Sequence, residues 1–207
     1  CYFNVGDDCI ALKAGRNNDG RRVGVPVSNV IIRNCTMIDG HGGVVIGSEM
    51  TGGANNIYAE NNEFNSDDLE RVLRIKTNSV RGGIVEHIYL RNNTVLRAGV
   101  GIQINFYYGE GDEGAFDPTV RNIFIENIDF NNVGQAFNIN DYSRCPVDML
   151  VLRDCNFTGC KVSDNFGYTT NLRLIRVTRN GEDISNYEEP IITPTPTPTI
   201  SPWITVT

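Results

Sequence analysis

The stretch Asn122-Ile-Phe-Ile-Glu-Asn-Ile-Asp-Phe130 is the clearest copy of a pattern that four other segments of the chain repeat. Each copy alternates apolar and polar residues over several positions, as a β-strand with one buried face does. The other copies are Asn29–Met37, Asn56–Phe64, His87–Val95 and Asp148–Phe157. The aligned positions are Asn34, Asn61, Asn92, Asn127 and Asp154, so the repeat recurs at steps of 27, 31, 35 and 27. Repeats of this length without a helical period indicate a solenoid.

A second series of short apolar segments follows the first and supports the same fold. Its aligned positions are Leu12, Ile46, Ile75, Ile104 and Ile139, at steps of 34, 29, 29 and 35. Turns rich in Gly, Asn and Asp separate the two series. We therefore predict an all-β parallel β-helix with almost no helix, in which like strands of successive coils pair about 4.8 Å apart. A β-sandwich, the alternative, would not space near-identical segments in this way.

Composition limits the kinds of partner. The chain has 207 residues, which suits one domain, and a formal net charge of −7. An acidic protein lacks the basic face that non-specific nucleic-acid binding needs, so we expect no nucleic-acid partner. No apolar run is long enough to cross a membrane. The six cysteines form no Cys-x-x-Cys pair, which argues against a zinc site.

The repeats fade after about Cys160. We predict that residues 161–189 close the end of the coil, so that residues 1–189 form the C-terminal part of a β-helix domain. Residues 190–207 alternate Thr and Pro, which is typical of an extended linker to a further module. A carbohydrate-binding or docking module is the expected kind. The first residue is Cys1, so we interpret the chain as a piece of a longer, extracellular protein.

Four polar clusters recur at nearly even spacing along the chain. They are Gly6-Asp7-Asp8, Gly40-His41-Gly42, Arg74-Ile75-Lys76 and Tyr107-Tyr108. The steps from Asp7 to His41, to Arg74 and to Tyr108 are 34, 33 and 34, which predicts that the clusters stack on one face. With Ile75 inward, Arg74 and Lys76 both point outward, an arrangement suited to binding a carboxylate. Each cluster alone is more often structural, and the shared spacing is what favours a site.

The first three clusters resemble signature motifs of the polygalacturonase family, glycoside hydrolase family 28, in order and approximate spacing. The stretch Gly47–Gly53 resembles the bacterial, exo-acting branch. The resemblance covers residues 1–160 and implies a right-handed parallel β-helix, here truncated at its N-terminal end. It also implies a secreted enzyme that degrades pectin, a cell-wall polysaccharide. Such an enzyme hydrolyses α-1,4-linked polygalacturonan with inversion. No cofactor or metal is implied, and we expect a monomer.

The resemblance also implies a role for each site residue. Asp7 would be the general acid, Asp8 would help to activate the attacking water, and His41 would hold the charge state of the acid. Arg74 and Lys76 would bind the galacturonate carboxylate, and Tyr108, or its neighbour Tyr107, would contact the sugar. Because adjacent carboxylates repel, we expect one pKa of the Asp7–Asp8 pair to be raised.

One family motif has no counterpart in the sequence. Asn-x-Asp, which supplies another catalytic carboxylate, lies well before the Asp-Asp pair in the family, and Cys1 is too close to Asp7 to leave room for it. We therefore expect residues 1–207 alone to be weakly active or inactive. The alternatives are a pectate lyase, a rhamnogalacturonan hydrolase and a non-catalytic β-helix binding module. Exo or endo action stays open, with the Gly109–Phe116 insertion as a candidate cleft loop.

Overall fold

A computed structural model describes residues 1–188 and the backbone of Ile204–Val206. The predicted linker over residues 190–207 therefore lies almost entirely outside the described residues. The elements in chain order are β1 (Tyr2–Asn4), β2 (Asp8–Leu12), α1 (Asn17–Val23), β3 (Val27–Arg33), β4 (Thr36–Asp39), β5 (Gly42–Gly47), β6 (Ala54–Glu60), β7 (Glu63–Asn65), β8 (Arg71–Lys76), β9 (Ile84–Arg91), β10 (Thr94–Asn105), β11 (Thr119–Phe130), β12 (Val133–Asn140), β13 (Asp148–Phe157), β14 (Arg173–Arg179), β15 (Glu182–Asp183) and β16 (Ile204–Val206).

The strands of successive coils pair in parallel, which confirms the all-β parallel β-helix. One column contains β3, β6, β9, the start of β11 and the start of β13. A second column contains β2, β5, β8, the end of β10 and β12. In the second column Leu12 pairs with Ile46, Ile46 with Ile75, Ile75 with Ile104, and Ile104 with Ile139. Both alignments derived from the sequence are therefore confirmed.

Other parts of the coil have no clear sequence signal. A third column of short strands, including β1, β4 and β7, lies between the other two. The short helix α1 ends at Gly24, whose φ of 64° is left-handed. After the last full coil, β14 pairs in parallel with β13 and antiparallel with β15. No helix within the described residues has the length and apolar character needed to span a bilayer.

The core is a set of inward apolar ladders. The aligned isoleucines Ile46, Ile75, Ile104 and Ile139 are fully buried. Farther along, Phe130 stacks on Phe157 with ring centroids 4.4 Å apart. Each ladder places an apolar residue at the same position coil after coil, so burial of these side chains stabilises the pairing register as well as the fold.

The aligned corner residues are in the left-handed region of backbone conformation. Asn34, Asn61, Asn92, Asn127 and Asp154 have φ between 51° and 56°. Asn and Asp adopt this conformation more readily than other non-glycine residues, which explains their recurrence at one corner. Side-chain hydrogen bonding up the stack, our sequence-based explanation, occurs between Asn127 Nδ2 and Asn92 Oδ1 at 2.8 Å. The left-handed backbone geometry is thus the more general reason why Asn and Asp recur at this corner.

The residue after the corner supplies a buried polar ladder. Asn62 accepts from the Cys35 N–H at 3.0 Å and donates to the Ile32 carbonyl at 3.0 Å. Asn93, one coil on, accepts from both the backbone N–H and the side-chain amide of Asn62. These amides satisfy backbone groups at the corner where the strands turn away from each other.

We expect Asn62→Ala to lower the free energy of unfolding by roughly 1–3 kcal/mol for each buried group left without a partner. Asn61→Gly is the matched control, because Asn61 is exposed and glycine accepts its φ of 56°. Urea unfolding followed by circular dichroism measures both. An equal loss in the two variants would contradict a stabilising role for the buried ladder.

Candidate active site

Asp7 and His41 are neighbours in adjacent coils, as their spacing in the sequence predicts. The His41 N–H donates to the Asp7 carbonyl at 3.0 Å, and His41 Nδ1 lies 3.2 Å from Asp7 Oδ1. Gly40 makes this approach possible: its φ is 138°, and a Cβ there would lie 2.4 Å from the Asp7 carbonyl oxygen. The Asp7 side chain itself is 81% exposed. An exposed carboxylate is thus held against an imidazole at the start of two strands.

Asp8 points the other way and is buried against two cations. Its side chain is only 5% exposed, with Lys76 Nζ 2.6 Å from Oδ2 and Arg74 Nη1 3.3 Å from Oδ1. The strand that faces Arg74 begins with Gly42, where a Cβ would lie only 2.6 Å from Val45 Cγ2. The three side chains carry two positive charges and one negative charge, so the cluster keeps one net positive charge.

The structure places Tyr108 rather than Tyr107 beside the cations. Lys76 Nζ is 5.2 Å and Arg74 Cζ is 5.6 Å from the Tyr108 ring centroid, within cation–π range. Tyr107 instead packs edge-on against Tyr142, with centroids 4.9 Å apart. The six predicted side chains therefore form one continuous site, made up of Asp7, Asp8, His41, Arg74, Lys76 and Tyr108.

The clusters do not stack in one straight column, which corrects the interpretation of their even spacing. Only Asp7 and His41 are direct neighbours; the residue beside His41 in the next coil is Glu70, and the neighbour of Arg74 is Gln103. The apolar ladder that sets the register takes a shorter step after Ile46 than the polar clusters do. The first two clusters are therefore in register, whereas Arg74 lies four positions beyond Glu70 and Tyr108 lies five positions beyond Gln103. The site residues form an oblique row across the face.

Glu70 belongs to the site and was missed from the sequence. Its Oε1 is 4.0 Å from His41 Nε2, and it also forms an ion pair with Arg71. Arg71 Nη1 in turn donates to the His41 carbonyl at 3.3 Å. His41 therefore lies between two carboxylates, Asp7 and Glu70. The sequence did contain a signal for Glu70. The buried isoleucines Ile46 and Ile75 are 29 residues apart, and the same step from His41 leads to Glu70.

The Gly109–Phe116 insertion follows Tyr108 and is anchored at several points. Glu110 forms ion pairs with Arg16 at 3.0 Å and with Arg81 at 3.1 Å. A backbone hydrogen bond and the Arg16 and Asn78 side chains lower the pKa of Glu110 to about 2. The Phe116 ring lies 3.7 Å from the Arg21 guanidinium in α1. The loop is thus fixed beside the oblique row.

The prediction of a raised pKa is wrong for Asp7. The Asp8 backbone N–H, which donates to Asp7 Oδ1 at 2.8 Å, and then the His41 side chain lower the pKa of Asp7 below its usual value. The expected repulsion from Asp8 does not raise the pKa of Asp7, because the Asp8 carboxylate pairs with Lys76 and Arg74. These two cations balance its negative charge.

The chain is a parallel β-helix with one charged site on its outer face, and comparison with known proteins identifies the family. Residues 1–165 match the family model "Glycosyl hydrolases family 28", so the chain belongs to this family of glycoside hydrolases. It is 35% identical over 119 residues to a probable polygalacturonase of Vitis vinifera, and 30% identical over 129 residues to an exo-poly-alpha-D-galacturonosidase of Dickeya chrysanthemi. These matches cover 57% and 62% of this chain but only 24% and 21% of those relatives.

A solved structure supports the same assignment. The chain resembles the hyperthermoactive exopolygalacturonase of Thermotoga maritima, with a TM-score of 0.81 and 36% identity. The match covers 88% of this chain and 41% of that protein. The chain thus spans less than half the length of each of these relatives.

Asp8 and Asp7 should differ sharply in their contribution to stability. Asp8→Asn leaves two nearly buried cations without their counter-charge, and we expect a loss of about 3–5 kcal/mol, as for breaking a buried ion pair. Asp7→Asn alters an exposed group and should change stability by less than about 0.5 kcal/mol. Chemical denaturation of the two variants side by side measures the difference. Equal effects would argue against Asp8 as the charge that balances Lys76 and Arg74.

His41→Ala should raise the pKa of Asp7. The variant removes the second-largest influence that lowers this pKa and leaves the Asp8 N–H in place. We therefore expect a shift toward, but not fully to, the ordinary aspartate value, measured by ¹³C NMR titration of the Asp7 carboxyl. His87→Ala is the control, since His87 contacts Asn122 in another column. An unchanged Asp7 pKa in His41→Ala would contradict the proposed coupling.

Proposed function

We propose that this chain carries the central part of a polygalacturonase active site, which hydrolyses α-1,4 bonds of polygalacturonan by an inverting acid–base mechanism. The observation that carries the proposal is the arrangement of two buried cations around Asp8, directly beside the exposed Asp7–His41 pair. Family membership and the polygalacturonase relatives support the same chemistry. Two of the three relatives are described as exo-acting, which favours exo action.

The charge balance of the site supports an anionic sugar as substrate. Arg74 and Lys76 together exceed the charge of Asp8 by one, and their side chains are only 11% and 6% exposed. A uronate carboxylate that binds there completes the charge balance in a weakly screened place. Tyr108, next to both cations, offers a ring face to the same sugar.

In the proposed reaction Asp7 donates a proton to the glycosidic oxygen as the bond to the anomeric carbon breaks. A water attacks that carbon from the opposite face and loses a proton to a carboxylate. Asp8 helps to orient this water, and His41 sets the charge of Asp7. The Asn-x-Asp carboxylate that the family places before this pair completes the base. The reaction consumes one water and leaves Asp7 to be reprotonated from solvent.

The polymeric substrate suits an enzyme that works outside the cell, and we propose a secreted protein.

Because the carboxylate of Asp7 is favoured in the free site, the proton needed for catalysis must be stabilised by the substrate. A uronate that pairs with Lys76 offsets the positive charge by which Lys76 lowers the pKa of Asp7, so this pKa rises on binding. The acid is thus armed by the same charge that Arg74 and Lys76 recognise.

Asp7→Asn should reduce the release of reducing ends from polygalacturonate by about 10²–10⁴-fold, the usual contribution of a general acid. The measurement uses the protein with its complete family-28 domain. Asp67→Asn is the matched control, because the Asp67 side chain is also 81% exposed but pairs with Arg97 away from the site. We expect the control to keep its rate.

Two results would overturn the assignment. Unchanged turnover in Asp7→Asn would favour a non-catalytic role for this face. Calcium-dependent formation of an unsaturated, ultraviolet-absorbing product by the unmodified protein would indicate a lyase instead of a hydrolase.

A further inference from the structure

The two cations of the site belong to two columns of paired residues that continue into the later coils. In the following coil Gln103 pairs with Arg74 and Asn105 pairs with Lys76. In the coil after that, Asn138 pairs with Gln103 and Asn140 pairs with Asn105. All four residues alternate with inward apolar residues, so their side chains lie on the outer face, as those of Arg74 and Lys76 do. Along this face the charged pair is succeeded by two pairs of amides.

Gln103 stands out among these amides. It is only 8% exposed, its side chain makes no hydrogen bond to residues 1–188, and its amide atoms are not fully buried. The neighbouring amides are partly used: Asn105 Oδ1 accepts from the Tyr107 N–H at 2.8 Å, and Asn138 Oδ1 accepts from Asn140 Nδ2 at 2.8 Å. Gln103 therefore offers both a donor and an acceptor next to Arg74.

A groove of about 420 Å³ opens at the far end of these columns. Its lining includes Asn140 and Asn165 with two exposed tyrosines, Tyr107 and Tyr168, and contains no Lys, Arg or His within the described part of the chain. Asp141 contributes the one charge of the lining, and its oxygens already accept from the Val147 and Tyr168 N–H groups. Ring faces beside amides are suited to a sugar. Asp141 is buried and its oxygens are already paired, so the lining offers neither a cation to attract a carboxylate nor an exposed charge to repel one.

We propose that Gln103, Asn138 and Asn140, with Tyr107 and Tyr168, form an uncharged sugar-binding region (the subsite) that begins one coil beyond Arg74 and Lys76 and ends at Tyr168, in the third coil. This inference rests on the proposed function, since it extends the same substrate along the same face. The subsite binds hydroxyl groups and ring faces and ignores the uronate carboxylate. It therefore accepts a methyl-esterified galacturonate unit as readily as a free one, while the Arg74–Lys76 position requires the free acid.

The third coil lies about 14 Å from the cations, at about 4.8 Å per coil, so only oligomers longer than a dimer reach Tyr168. The test uses the protein with its complete family-28 domain, in an Asp7→Asn background that prevents turnover. Calorimetry measures the binding of digalacturonate and pentagalacturonate. We expect Tyr168→Ala to weaken pentamer binding about tenfold and to leave dimer binding unchanged. Tyr2→Ala, an exposed tyrosine on a different strand column, is the control and should change neither.

Esterified ligands test the chemistry of the subsite. Two pentamers are compared, each methyl-esterified at one end only. The pentamer whose ester lies at the subsite should bind within about twofold of the free acid. A fully esterified pentamer should bind far more weakly. If both end-esterified pentamers lose as much affinity as the fully esterified one, or if Tyr168→Ala weakens dimer and pentamer equally, the subsite is wrong. If the parent protein binds no galacturonate at all, the failure lies in the proposed function itself.

Discussion

The register of the parallel strands is the constraint on which the rest of the structure depends. A one-residue slip in a strand moves its whole inward set to the outer face. Here the buried isoleucines and the left-handed corners oppose such a slip in every coil. Because the register holds, Asp7 meets His41, and Arg74 and Lys76 point out together. Functional side chains that are distant in the sequence, such as Asp8 and Lys76, are brought within 2.6 Å by this repetition.

The buried ion cluster depends on that register and carries its own cost. Desolvating three charges is expensive, and attraction between them offsets the cost only when the geometry is good. Asp8 contacts both cations and thus stabilises them in the free site. The same contact holds the guanidinium and the ammonium in fixed positions. If they bind a uronate as proposed, this order reduces the entropy lost on binding. In that proposal the cluster is both a structural element and a recognition element.

Much of the fold could be predicted because the coil repeats itself. Leu12, Ile46, Ile75, Ile104 and Ile139 align in the structure as they do in the sequence. The short third column and α1 could not be predicted, since very short strands and a helix of two turns lack a clear period. Glu70 was missed for a different reason. Even spacing of the polar clusters suggested a straight stack, whereas the apolar ladder, which sets the register, advances by a shorter step in that part of the chain.

The state of Asp7 shows why pairwise reasoning from sequence reached the wrong sign. Two adjacent carboxylates repel in isolation, but in the fold Lys76 and Arg74 balance the charge of Asp8, while the Asp8 N–H and His41 favour the charged form of Asp7. The free site therefore stores Asp7 as a carboxylate. In the proposed function Asp7 is the general acid and must regain a proton before it can donate one. A uronate that pairs with Lys76 offsets a positive charge that lowers the pKa of Asp7 and so favours protonation. On this proposal a neutral glycan would leave Asp7 ionised, and the charge that selects the substrate would also switch on the acid.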